Sequence, residues 1–306
     1  MRMHTSALAL VFAACVVHPL SAQAQNAQAH KQTRAEALKA AESAMQLHGS
    51  IVIARDGSVA EYAIDKAEVL SAPVAAVLDK TIRQWRFQPV QVDGQVVQAK
   101  APMSLRLVAK PIEEGKVALR VGSVHFHGQS RAKDQPPAQT GERVALASNK
   151  RVNPDYPSGL MRAGAGGTVY SVLRVGRDGK VLDTHIEQVN LDFVADARSM
   201  AVARDAMAKS VRQATKHWTF LTPNAGNDKD APYWSVRVPV SYCAADRPCA
   251  GGTYGRWLPY VPGPRELPPA WASEALKTAG APDALPGGGI HPLDGDAPRL
   301  LTPLGG

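Results

Sequence analysis

Cysteine is scarce in this chain, three among 306 residues, and aromatic side chains make up only 6%. So few thiols exclude a disulfide-dense scaffold and a multi-cysteine zinc module. Catalytic signatures are missing as well. There is no Gly-x-Ser-x-Gly elbow, and serine, histidine and aspartate never group in an order that suggests a triad. Gly164-Ala165-Gly166-Gly167 leads into a strand and not a helix N-terminus, so it reads as a bend and not a phosphate cradle. Glu113 and Glu114 are adjacent, and neighbours on a strand point apart. Nothing in the residues supports a reaction, and no enzyme activity, cofactor or metal is expected. His125 and His127 would share one face of a strand, but no third ligand is apparent, and two exposed strand histidines are the plainer reading.

Long apolar runs are absent too. The nearest, residues 8–17, is about ten residues against the roughly twenty of a membrane-spanning helix, and His18-Pro19 ends it. With Arg2 before it and Ala22-Gln23-Ala24 after it, residues 1–24 read as a cleavable secretory leader and place the mature chain in the periplasm. Cys15 as a lipidated cysteine is the lesser alternative, because Phe12 stands where a lipobox carries leucine. Beyond the leader, Cys243 and Cys249 form an even pair in a disulfide-permissive compartment. The turn-forming Asp246, Arg247 and Pro248 between them let a bridge close. The charge of +8 comes from scattered lysines and arginines, which suits acidic envelope partners and carries no nucleic-acid-binding signature.

What is present is a repeat. Ile53-Ala54-Arg55-Asp56-Gly57-Ser58-Val59 aligns without gaps on Val175-Gly176-Arg177-Asp178-Gly179-Lys180-Val181. Each copy is later followed by Trp-x-Phe, at Trp85 and Phe87 and at Trp218 and Phe220. Asp-Gly between β-type runs predicts a tight hairpin, pairing 50–54 with 58–64 and 168–175 with 180–186. Between hairpin and tryptophan, Val74, Val77, Leu78, Ile82 and Trp85 share a helical face, as do Met200, Met207, Val211, Ala214 and Trp218. Residues 101–109 and 233–242 read as a further strand. The fold class is therefore α+β, with two small domains each ordered β-β-α-β: a three-stranded antiparallel sheet with a helix on one face.

Asn153-Pro154-Asp155-Tyr156-Pro157, Arg162-x-Gly164, Gly167-Thr168-Val169, Asp178-Gly179 and Trp218-x-Phe220 with Pro223, in that order, resemble the C-terminal domain of TonB. The first copy resembles a reduced version, keeping Asp56, Gly57, Trp85 and Phe87 without the Tyr-Pro block. The resemblance implies a module that grips an extended segment of an outer-membrane transporter by adding a strand. The residues by themselves assign the aromatics to the core, and Tyr156, Pro157, Gly167 and the Asp-Gly pairs to structure.

The division that follows is 1–24 leader, 25–48 helical lead with a helix near 33–47, and 49–109 first domain. A connection at 110–150 holds one more strand near 117–126, the second domain covers 151–245, and a largely irregular Pro/Gly-rich tail covers 246–306, with a short helix near 271–277. Material around 187–199, with Asn190, Asp192 and Asp196, is extra in the second copy and reads as a solvated connection. The leading functional expectation is strand pairing with an envelope protein, an outer-membrane transporter among the candidates. The edge would be the last strand of the second domain, through Val236, Val238, Val240 and Tyr242, although Pro239 removes one donor there. An energy transducer is the alternative, but no Pro-rich spacer is present. A scaffold that binds peptidoglycan or forms a homodimer through its edges is another.

Overall fold

In each repeat the Asp-Gly pair turns the chain because its glycine sits at positive φ, 81° at Gly57 and 76° at Gly179. The aspartate accepts the backbone N–H two residues on, Ser58 at 3.0 Å from Asp56 and Lys180 at 3.1 Å from Asp178. The turn also meets the Trp-x-Phe segment. The Phe87 N–H donates to the Gly57 carbonyl at 2.8 Å, and the Phe220 N–H donates to the Gly179 carbonyl at 2.8 Å. A Cβ on either glycine would lie 2.1 Å from that phenylalanine's carbonyl oxygen. Two motifs that recur together in sequence are thus one contact in space.

The computed structural model describes residues 34–92, 94–113, 115–127, 131–132, 146–225, 229–244, 254–278, 280–285, 287–293 and 297–304. The protein is mixed α+β, and its strand ladders are antiparallel. In chain order, α1 (Arg34–Ala40) precedes β1 (Glu42–Ile53), β2 (Val59–Ile64) and α2 (Ala72–Arg83). The short β3 (Gln91–Val92) and β4 (Gln95–Val96) lead to β5 (Ala99–Glu113), β6 (Lys116–Phe126), β7 (Arg131–Ala132) and β8 (Ala147–Lys150). The second repeat supplies α3 (Ser158–Arg162), β9 (Gly167–Gly176), β10 (Val181–Leu191), α4 (Ala197–Thr215), β11 (Thr219–Leu221) and β12 (Tyr233–Tyr242). The tail contributes β13 (Leu258–Tyr260), α5 (Ala270–Thr278) and β14 (His291–Pro292).

Neither sheet stops at three strands. The first runs β13-β1-β5-β6, with β2 also on β1 and β7 on β5, and the second runs β10-β9-β12-β14. Each keeps its own apolar core. Val74, Leu78 and Ile82 of α2 pack with Trp85, Phe87 and β1, β5 and β6. Met200, Met207 and Val211 of α4 pack with Trp218, Phe220 and β9, β10 and β12. Trp85, Phe87 and Phe126 meet edge to face, with centroids 5.0–6.4 Å apart. The Trp218 indole N–H donates to the Val152 carbonyl at 2.6 Å, and the Arg151 guanidinium lies 4.6 Å from its ring centroid.

Three expectations change. The lead helix ends at Ala40, because 43–53 pair residue for residue with β5, and tertiary pairing overrides the helix preference of that Ala- and Glu-containing stretch. The extra material of the second copy is not a solvated connection. Residues 187–191 prolong β10 and are buried, while Asp196 caps α4 by accepting the Ser199 N–H at 3.0 Å. The tail is ordered over its described residues and packs between the two sheets, with β13 on β1, β14 on β12, and Ala272 of α5 against Val172. Among the described residues no helix is long and apolar enough to cross a membrane.

The Gly–Phe contact yields a direct test. Gly57→Ala or Gly179→Ala should lower unfolding free energy by about 1–3 kcal/mol from backbone conformation alone, with the carbonyl clash in addition. Urea denaturation measures it, and a change below 0.5 kcal/mol at both sites would remove the contact from its structural role.

Candidate functional site: strand edges and a histidine cluster

Strand alternation sends Val236, Val238, Val240 and Tyr242 inward beneath α4, where all four are buried. Their backbone edge, expected to be open, is largely covered. The Gly288 N–H donates to the Pro239 carbonyl at 2.9 Å, the Leu293 N–H to the Ser235 carbonyl at 2.9 Å, and Val236 and Arg237 face Pro292 and His291. The far end of β12 opens onto a cleft of about 350 Å³ lined by Arg151, Asn153, Tyr156, Trp218 and Tyr242. Tyr156 there donates to the Ala165 carbonyl at 3.0 Å and packs on Tyr242, while Pro157 stands at the start of α3 and Gly167 at the start of β9. Cys243 follows β12; Cys249 lies outside the described residues, as does the leader.

The opposite edge of the second sheet is covered at its far end, over Glu187–Leu191. Leu191 and Val261 exchange backbone bonds at 3.0 and 2.9 Å, and the Glu266 N–H donates to the Glu187 carbonyl at 2.9 Å. In the first sheet β6 differs. Among the described residues it pairs with β5 alone, and 110–113 and 116–118 extend past the start of β1 as a projecting hairpin. Ile112 and Val117 on that hairpin are 59% and 54% exposed.

The faces of the two sheets turned away from α2 and α4 are polar and hold charge. Arg237 is fully buried and makes a two-pronged ion pair with Glu187, at 2.8 and 3.0 Å, and burial pulls its pKa down. Arg106 of β5 reaches across to the Tyr170 hydroxyl of β9 at 3.3 Å and donates to the Asp283 backbone carbonyl of the tail, while the Tyr260 hydroxyl donates to the Asp283 carboxylate. Burial pushes the Tyr170 phenol up to about 12.

At one end of this polar layer three imidazoles converge. His125 of β6, His127 just beyond it and His291 of β14 each offer a ring nitrogen, all within 4.8 Å of one another. His125 and His291 are buried, not the exposed strand histidine the sequence suggested, and His291 is the third partner that was not apparent there. His127 shares a hydrogen bond of 2.8 Å between Nε2 and the Ser104 hydroxyl, which lies 3.2 Å from His48 Nδ1. Burial drives His291 down to about 3, with His127 and Arg237 adding to the effect, and burial also lowers His127 and His48. The i, i+2 pair was visible in sequence; His291 and Ser104 carried no signal, since only tertiary packing brings them there.

No family model matches this chain, and no curated protein matches it. Among solved structures it is similar to the solution structure of the Pseudomonas aeruginosa TonB C-terminal domain, at 17% identity and a TM-score of 0.25, covering 35% of this chain and 93% of that one. At that score the likeness carries no argument, so the reading of function rests on the strand edges themselves.

The buried ion pair sets a sharp expectation. Glu187→Ala should cost about 3–5 kcal/mol by stranding the Arg237 cation, whereas replacing both partners by apolar residues of similar volume should cost far less. Chemical denaturation of the single and double variants decides it, and equal losses would contradict this account.

Proposed function

We propose that this chain is an exported, non-catalytic binding protein built on two duplicated β-β-α-β modules, and that it takes an extended, acidic segment of an envelope protein as an added strand on β6. The observation that supports it is the edge of β6, which has no strand beyond it among the described residues while the tail lies on β12 and on the far end of β10 in the second sheet. β2 also has no outer strand among the described residues, but it spans only Val59–Ile64 against Lys116–Phe126.

The register tells which groups a partner would meet. The His127 N–H donates to the Pro102 carbonyl, so Pro102 and the alternate residues Ser104, Arg106, Val108 and Lys110 turn toward β6. Arg120 and Ala118, opposite Val108 and Lys110, then point their backbone groups at β5, and Val117, Leu119 and Val121 point theirs outward. Lys116 and Arg120 are exposed beside that row, in ion pairs with Glu113 at 2.6 Å and Glu42 at 3.6 Å that a partner's carboxylates could replace. Such charges keep an edge from pairing with its own copies and at the same time favour a partner strand bearing carboxylates. The export reading adds the leader-like 1–24 segment, which makes an envelope protein the class of partner.

Val117→Pro removes an outward donor at an exposed position and leaves the β5 ladder intact. It should reduce capture of the envelope partner in pull-down from extract by at least tenfold, with stability changed by no more than about 0.5 kcal/mol. Ala118→Pro should instead break the ladder and lower stability. Undiminished capture by Val117→Pro would overturn the assignment of β6.

A further inference from the structure

We propose that His125, His127 and His291 form a binding site for one divalent transition-metal ion of the zinc or copper class, an ion that ties the tail to the first sheet. Nothing in this inference depends on which strand edge binds a partner.

Geometry comes first. The three ring centroids lie 5.0, 5.4 and 5.9 Å apart, with one nitrogen from each ring inside a 4.8 Å span. Nitrogens bound tetrahedrally to zinc at 2.0–2.1 Å would stand about 3.3 Å from one another, so modest ring rotations bring the set onto an ion. A second observation is independent of the distances. His291 is only 8% exposed, and its Nε2 has no hydrogen-bond partner. A buried polar atom left unsatisfied costs about 1–3 kcal/mol, and a metal ion supplies the missing partner.

The surroundings fit a ligand role. Ser104 holds one nitrogen of His127, the kind of outer contact that fixes ring orientation in metal sites. Glycines leave room on two sides: a Cβ at Gly289 would stand 2.4 Å from His291 Nε2, and one at Gly280 would press on the Val124 carbonyl beside His125. The three ligands are imidazoles without carboxylate or thiolate, a set that favours zinc or copper over magnesium or calcium. Three protein ligands leave a fourth position open to water or to a further group. Because β14 is paired with β12 while β6 belongs to the first sheet, one ion would bridge both halves of the molecule.

Titration of the untagged, chelator-stripped full chain with zinc or copper, followed by calorimetry, tests this. The expected result is saturation at one equivalent, with His291→Ala weakening affinity on the order of 100-fold, the upper end of what even outer-contact changes produce. His217→Ala, at an exposed position that is not among the three clustered histidines, should bind as the unaltered protein does. Because His291→Ala could lose its fold, imidazole NMR of the unaltered chain gives a readout free of variants. Zinc should shift the signals of His125, His127 and His291 together. Absence of saturable binding, equal binding by a folded His291→Ala, or shifts confined to other histidines would each overturn the proposal.

Discussion

The contact on which both halves of this protein depend is the seating of an Asp-Gly turn against the backbone of the Trp-x-Phe segment. A left-handed glycine is needed twice over, once for the turn and once because the phenylalanine carbonyl occupies the space a side chain would take. The N–H bond from Phe87 to the Gly57 carbonyl, and from Phe220 to the Gly179 carbonyl, fixes where the chain must be when each helix ends. That in turn places the indoles over the sheet and sets the phase of the helix, so the buried stripe Val74, Leu78, Ile82 or Met200, Met207, Val211 follows from it. The two motifs recur together, and in each copy one supplies the contact the other needs.

A second constraint governs how the halves meet. The faces turned away from α2 and α4 carry Gln46, Arg106, Tyr170, Glu187 and Arg237, which cannot form a dry sheet-on-sheet core without leaving polar atoms unsatisfied. The tail resolves this. Its glycines and prolines keep much of its backbone out of regular elements, so carbonyls of Asp283, Ala284, Gly280 and Gly263 are free to accept from Arg106, Gln46, Arg237 and Gln188. Two separate apolar cores joined by a polar, tail-filled layer is the arrangement that results.

How much of this could be read in advance follows from the range of each interaction. Gly57, Gly179, Trp85, Trp218 and the helical stripes were legible because turn chemistry and periodicity act over a few residues. Residues 187–191 were misread as a solvated connection because their polar side chains look like loop until Arg237 and the tail are seen to satisfy them. The helical lead was overestimated for a related reason: its second half is claimed by β5, far along the chain. His291 sits in a Pro/Gly-rich stretch with no local pattern, and its meeting with His125 and His127 is a property of the assembled molecule alone.

The functional account turns on which edge the tail leaves open. With the tail on β12 and on the far end of β10, and meeting β6 near Val124, the proposed site moves from the last strand of the second copy, where sequence placed it, to the Val117–Val121 stretch of a strand that follows the first copy. Hydrogen exchange of the full chain, read amide by amide, tests that shift most directly. The account expects protection of the Gly288 and Leu293 amides that pair with β12, and fast exchange at Val117, Leu119 and Val121, whose N–H groups face outward from β6. Fast exchange at Gly288 and Leu293 together with protection across β6 would contradict it.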